Sequence, residues 1–130
     1  MLLAGPGVAQ DGEIFNARLT TMPIDVATRA NVTGSGSGSA VLNGRRLALS
    51  GSFAGLRGAA TTAAVHEGQA TGMRGPARFA LEVTKGTSGT FSGEADLTAE
   101  QVDRLRQGRL YIQIHSESAP EGNLWGWLLQ

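Results

Sequence analysis

The chain has 130 residues, a size that suits one domain around a single core and leaves little room for two. Lysine plus arginine, 11, balance aspartate plus glutamate, 11, so the net charge is zero and bulk electrostatics select neither nucleic acid nor an anionic membrane. With no cysteine there is no disulfide, thiolate metal site or thiol nucleophile, and 19 glycines beside only 17% charged residues favour short strands and tight turns over helices.

Residues 1–14 read as the remnant of an export signal or a flexible N-terminus. The opening MLLAGPGVAQ is too short to span a bilayer and lacks a basic start, but Gly7-Val8-Ala9 is the small-x-small pattern that signal peptidase cuts. Phe15, Ala17 and Leu19 then alternate with Asn16, Arg18 and Thr20, predicting a strand with one buried face. Residues 21–37, with Pro23 and a Gly/Ser run, predict a long loop or ragged edge. Asn43-Gly44 predicts a type I′ turn between strands at 39–42 and 46–53, with Leu47, Leu49 and Phe53 on one face and Gly51 marking a bulge or a close backbone approach.

A strand at 61–66, a loop at 68–75 and strands at 77–84 and 88–95 follow, with Phe79, Leu81, Val83 and Phe91 as core candidates. One helix is expected near residues 99–107. Thr98 is its N-cap, Gln101 completes a capping box, Leu97 and Val102 occupy the staple positions, and Gly108 supplies the left-handed stop. The strand at 109–116 turns Leu110, Ile112 and Ile114 inward and Tyr111, Gln113 and His115 outward. The last, at 123–130, sets Leu124, Gly126 and Leu128 against Trp125, Trp127 and Leu129 on the other face. The sum is an all-β, antiparallel Greek-key β-sandwich over residues 15–130 with one short helix.

The phrases SFAGLRG at 52–58, TAAVHEG at 62–68, GTFSGEADLTAEQVDRLRQGRLYIQIHS at 89–116 and EGNLWGWL at 121–128, in that order, resemble a CHRD (chordin-type) domain. The resemblance implies a superoxide dismutase-like or immunoglobulin-like sandwich in an exported protein, periplasmic or secreted, and it implies a fold and a compartment far more than a reaction.

The family often carries a His-x-His pair in the strand that here reads Ala64-Val65-His66, and a further histidine in the strand that here reads Ile114-His115. A His-x-His pair projects both rings from one face, as copper or zinc chelation requires. Here Ala64 replaces the first imidazole, leaving His66 and His115, with Glu67, Glu117 or water to complete a set that normally needs three or four ligands. The expected cofactor is therefore none, with copper or zinc held by His66 and His115 in a superoxide dismutase-like metalloprotein as the alternative. No Gly-x-Ser-x-Gly elbow, phosphate loop or strand–Gly-rich–helix unit is present, so no catalytic residue is assigned.

The closing strand gives the stronger functional expectation. If it pairs with the strand at 109–116, then Tyr111, Gln113, Trp125, Trp127 and Leu129 share one outer face, and large exposed rings call for a cover. The expected cover is a protein partner or a second copy of the chain, with the chain's own 21–37 loop or N-terminal segment, or a glycan or lipid surface, as alternatives. The expectation is a non-catalytic exported binding module that meets a membrane only through a larger assembly.

Overall fold

The computed structural model describes residues 12–22 and 32–130. Residues 1–11, which hold most of the expected export remnant, and residues 23–31, within the expected 21–37 loop, lie outside the described residues. The elements run β1 (Gly12–Thr21), β2 (Ser35–Asn43), β3 (Arg46–Ala54), β4 (Ala60–Glu67), β5 (Ala77–Val83), β6 (Gly89–Asp96), α1 (Ala99–Arg106), β7 (Leu110–Ser116) and β8 (Leu124–Trp127).

All pairings are antiparallel, and the strand order β1-β2-β3-β6-β5-β4-β7-β8 closes on itself as a barrel, with crossovers from β3 to β4 and from β6 to β7. In place of the expected Greek-key sandwich the eight strands form a closed barrel. Pairing is long along most of the wall, as between β2 and β3, but short at two corners. There β5 meets β6 only through Glu82 with Ser92 and Val83 with Phe91, and β1 meets β8 through Thr20 with Trp125, Thr21 with Leu124 and an isolated bridge from Asn16 to Leu129. Closure of the wall removes the free edges that would otherwise recruit foreign strands.

Glycines set the inner wall. The run at 34–39 is not the loop or edge expected of it: Ser35, Ser37 and Ser39 face solvent while Gly36 and Gly38 face the interior of β2. A Cβ at Gly51 would collide with the Phe91 ring, and one at Gly38 would lie 2.9 Å from it. Gly51 thus marks a close approach rather than a bulge. Phe15, Leu19, Phe91 and Ile112, all at most 1% exposed, fill the space so freed.

The β2–β3 turn forms where expected but one residue later. Asn43 pairs with Arg46, so the loop residues are Gly44 and Arg45, with Gly44 at φ 62° in the first central position. The helix matches its sequence signals. Thr98 and Gln101 form a reciprocal capping box, Val102 and Leu105 are buried, and Gly108 takes φ 74°. At this end of the barrel, Glu67 is buried between Arg78 Nε and Arg104 Nη1, both at 3.2 Å, so a buried carboxylate ties α1 to β4 and β5.

Candidate functional site

The β7–β8 register pairs Tyr111 with Trp127 and Gln113 with Trp125, and β4 places His66 opposite Tyr111. Because Leu110, Ile112, Ile114, Leu124 and Leu128 are buried in the core, alternation turns Tyr111, Gln113, His115, Trp125 and Trp127 to the outer face of this sheet, as expected. The rings form one cluster. Tyr111 lies 4.3 Å from Trp127 and, edge on, 5.5 Å from Trp125; the two indoles meet at 68° and 5.5 Å; His66 stacks on Tyr111 at 5.1 Å and lies 6.4 Å from His115. Edge-to-face contacts at such distances add about 0.5–1.5 kcal/mol each beyond the area they bury.

The face is not bare: among the described residues the chain's own 68–76 and 117–123 loops cover it, while most of the expected 21–37 loop lies outside the described residues. Residues 68–76 fold over one half. The Tyr111 hydroxyl accepts from the Gly75 N–H at 2.9 Å and donates to the Gly75 carbonyl at 3.2 Å, and His66 Nδ1 donates to the same carbonyl at 2.9 Å. The Arg109 guanidinium donates to the Gly68 carbonyl, and the Thr71 hydroxyl donates to the Gly108 carbonyl. Gly68 sits so close to the indole that a Cβ there would lie 3.0 Å from Trp127.

Residues 117–123 cover the other half. Pro120 accepts from His115 Nδ1 at 2.8 Å, and Gly122 packs between Met22 and Gln113. Fully buried Asn123 anchors this second loop: its amide donates to the Thr33 carbonyl and its side-chain oxygen accepts from the Ser116 hydroxyl.

Of the five expected partner-binding residues, two are therefore covered. Tyr111, 1% exposed, and Gln113, 5% exposed, hold the face together and reach a partner only if the loops move. Trp125 and Trp127 stay partly exposed, and Leu129 is 46% exposed beside Gly108. Met73, half-exposed on the 68–76 loop, belongs with them and was missed; nothing local in GQATGMRG marks that loop as part of the sheet's outer layer.

The donor set fits copper or zinc poorly. His115 donates through Nδ1 to the Pro120 carbonyl, and its Nε2 lies 3.0 Å from the Gln113 amide nitrogen, so both nitrogens are engaged. His66 keeps Nε2 free of such a bond, and burial, reinforced by His115, holds its pKa below the usual imidazole value despite the hydrogen bond to Gly75. Glu67, expected to help, is buried and bound by two arginines. No group of three or more metal-ligating side chains occurs among the described residues, which falls short of a three- or four-ligand site.

Among the described residues no helix is long and apolar enough to cross a membrane. No curated protein and no solved structure matches the chain. A family model for the CHRD domain matches residues 15–128, from the first core residue of β1 through the buried Leu128 after β8, and on this match the chain belongs to the CHRD domain family.

Proposed function

We propose that this domain is a non-catalytic, extracytoplasmic binding module that docks a protein partner through the outer face of the β4-β7-β8 sheet, with Trp125 and Trp127 as anchors. One observation carries the reading: two partly exposed indoles, wedged against each other and against Tyr111 on paired strands, flanked by exposed Leu129 and Met73. Tryptophans held rigid by neighbours lose little entropy on docking, which is why such residues dominate interface energetics. Membership of the CHRD family supports the extracytoplasmic setting, and the absence of any catalytic motif in the sequence supports a binding role. A second copy of the chain is the simplest partner to test, since a self-complementary patch gives a two-fold dimer.

The chain's two tryptophans both lie on this face, so indole emission reports on it alone. Sedimentation should show a concentration-dependent dimer, or immobilised domain should retain a specific exported protein, with a blue shift of the emission on binding. Trp125→Ala should weaken that association at least tenfold, about 1.4 kcal/mol, without unfolding the domain. Association that persists unchanged in Trp125→Ala and in Leu129→Ser would refute the assignment of this face.

A further inference from the structure

The β1–β8 corner is ladder-paired at its two ends, and between them the strands stay close, since a Cβ on Gly126 would lie 2.7 Å from the Arg18 carbonyl. Thr20 and Thr21 pair with Trp125 and Leu124 at one end, Asn16 and Leu129 exchange backbone hydrogen bonds of 2.8 and 3.0 Å at the other, and no ladder pair joins residues 17–19 to β8. An open cleft of about 790 Å3 runs along the outer side of this seam, reaching Gln130, within the size range of small-ligand sites. Its walls include Asn16 and Arg18 of β1, Ser35 and Ser37 of β2, and Trp127 and Leu129 of the closing segment.

The lining has a definite chemical character. Ser37 stands directly across from Arg18 in the β1–β2 register. The side chains of Asn16, Arg18, Ser35 and Ser37 are exposed and make no hydrogen bond or ion pair among the described residues. No aspartate or glutamate lines the cleft. The nearest acidic group on β1, Glu13, is already neutralised by Arg106, whose guanidinium holds the carboxyl below its usual pKa.

An indole for packing, a row of hydroxyls and an amide for hydrogen bonding, and a guanidinium that is unpaired among the described residues make the combination that recognises a sugar ring bearing an anionic group. An extended peptide is a poorer occupant, because both ends of the corner are already paired and only Trp127 and Leu129 offer sizeable apolar surface. We propose that the β1–β8 corner cleft is a binding site for an acidic oligosaccharide, with a sugar face packed on Trp127, hydroxyls bonded to Asn16, Ser35 and Ser37, and a carboxylate or sulfate on Arg18.

This site goes beyond the protein-docking reading and shares only Trp127 and Leu129 with it. The test titrates the full chain with tetragalacturonate, a heparin-derived tetrasaccharide and cellotetraose, following amide shifts by NMR and indole emission. At least one acidic probe should bind at least tenfold more tightly than the neutral one, with shifts centred on residues 16–18, 35–37 and 127–129. Which acidic probe binds decides between carboxylate and sulfate.

Arg18→Gln should weaken the acidic probe about tenfold or more and erase its advantage over cellotetraose, while Ser37→Ala should cost a few-fold. Met73→Ser, outside the cleft lining, should leave saccharide affinity unchanged while weakening protein docking, so either proposal can fail alone. No shift with any probe up to about 10 mM, equal affinity for cellotetraose, or unaltered affinity in Arg18→Gln would each overturn the saccharide site.

Discussion

The Tyr111 hydroxyl is the pin that holds the 68–76 loop on the aromatic face, and removing it gives a measurable test of how that face is built. In Tyr111→Phe the ring stays packed against Trp127 and His66, so the loss is confined to two hydrogen bonds with Gly75. The Gly75 carbonyl keeps His66 Nδ1 as donor, whereas the Gly75 N–H loses its acceptor. An orphaned buried donor costs about 1–3 kcal/mol, and because Gly75 is only partly buried water can reach it, which places the cost at about 1–2 kcal/mol. For a domain of this size that is a fall in Tm of roughly 3–12 °C.

Urea denaturation measures the stability change, and hydrogen exchange should show faster exchange at residues 68–76 with the β2–β3 hairpin unchanged. His66→Ala alone should cost a similar amount, and the double variant should depart from the sum of the singles because both act on Gly75. A change below about 0.3 kcal/mol with unaltered exchange in the loop would mean that the hydroxyl does not hold it.

Glu67→Ala removes a buried carboxylate from two partly exposed arginines that water can then reach, and should cost about 1–3 kcal/mol by chemical denaturation, with Glu67→Gln intermediate; a neutral effect would contradict its burial. Asn123→Ala should cost about 2–4 kcal/mol, since the Thr33 carbonyl and the Ser116 hydroxyl both lose a buried partner; thermal melts check this. Gly51→Ala forces a methyl into the Phe91 ring and the Ser37 carbonyl and should destabilise by more than about 2 kcal/mol, with Phe91→Leu as a partial rescue. His66 has a folded-state pKa below its unfolded value, so its neutral form favours the native state. That contribution is complete above about pH 6.5 and is lost as pH falls through the depressed folded value, so stability should drop on acidification more in wild type than in His66→Phe.

What was legible in the sequence was local. Period-two alternation gave the inward sets Leu110-Ile112-Ile114 and Leu124-Gly126-Leu128, and the capping box at Thr98 with Gly108 ten residues later gave the helix almost to the residue. The Gly/Ser run misled because glycine usually signals a break. Here its alternation with serine is itself a strand pattern, and the inward glycines make sense only beside Phe91 and Leu19, which are distant in sequence. The cover over Tyr111 was illegible for the same reason. Gly75 lies 36 residues from Tyr111, and neither residue marks itself as the partner of the other.

Where function resides follows from how the barrel is filled. An eight-stranded barrel is wide enough to hold either side chains or one small ligand, and this one takes the first course, as rings and leucines press directly on glycine backbone. With the interior closed to ligands, recognition is left to the outer faces and to the corners where the wall is thinly paired. The β4-β7-β8 face differs from a bare aromatic patch because its own loops hold the rings in place, which limits both aggregation and the entropy lost on docking. The β1–β8 corner differs in kind. Its polar side chains and the Arg18 guanidinium are unengaged among the described residues, and they stand exposed along the seam that closes the barrel.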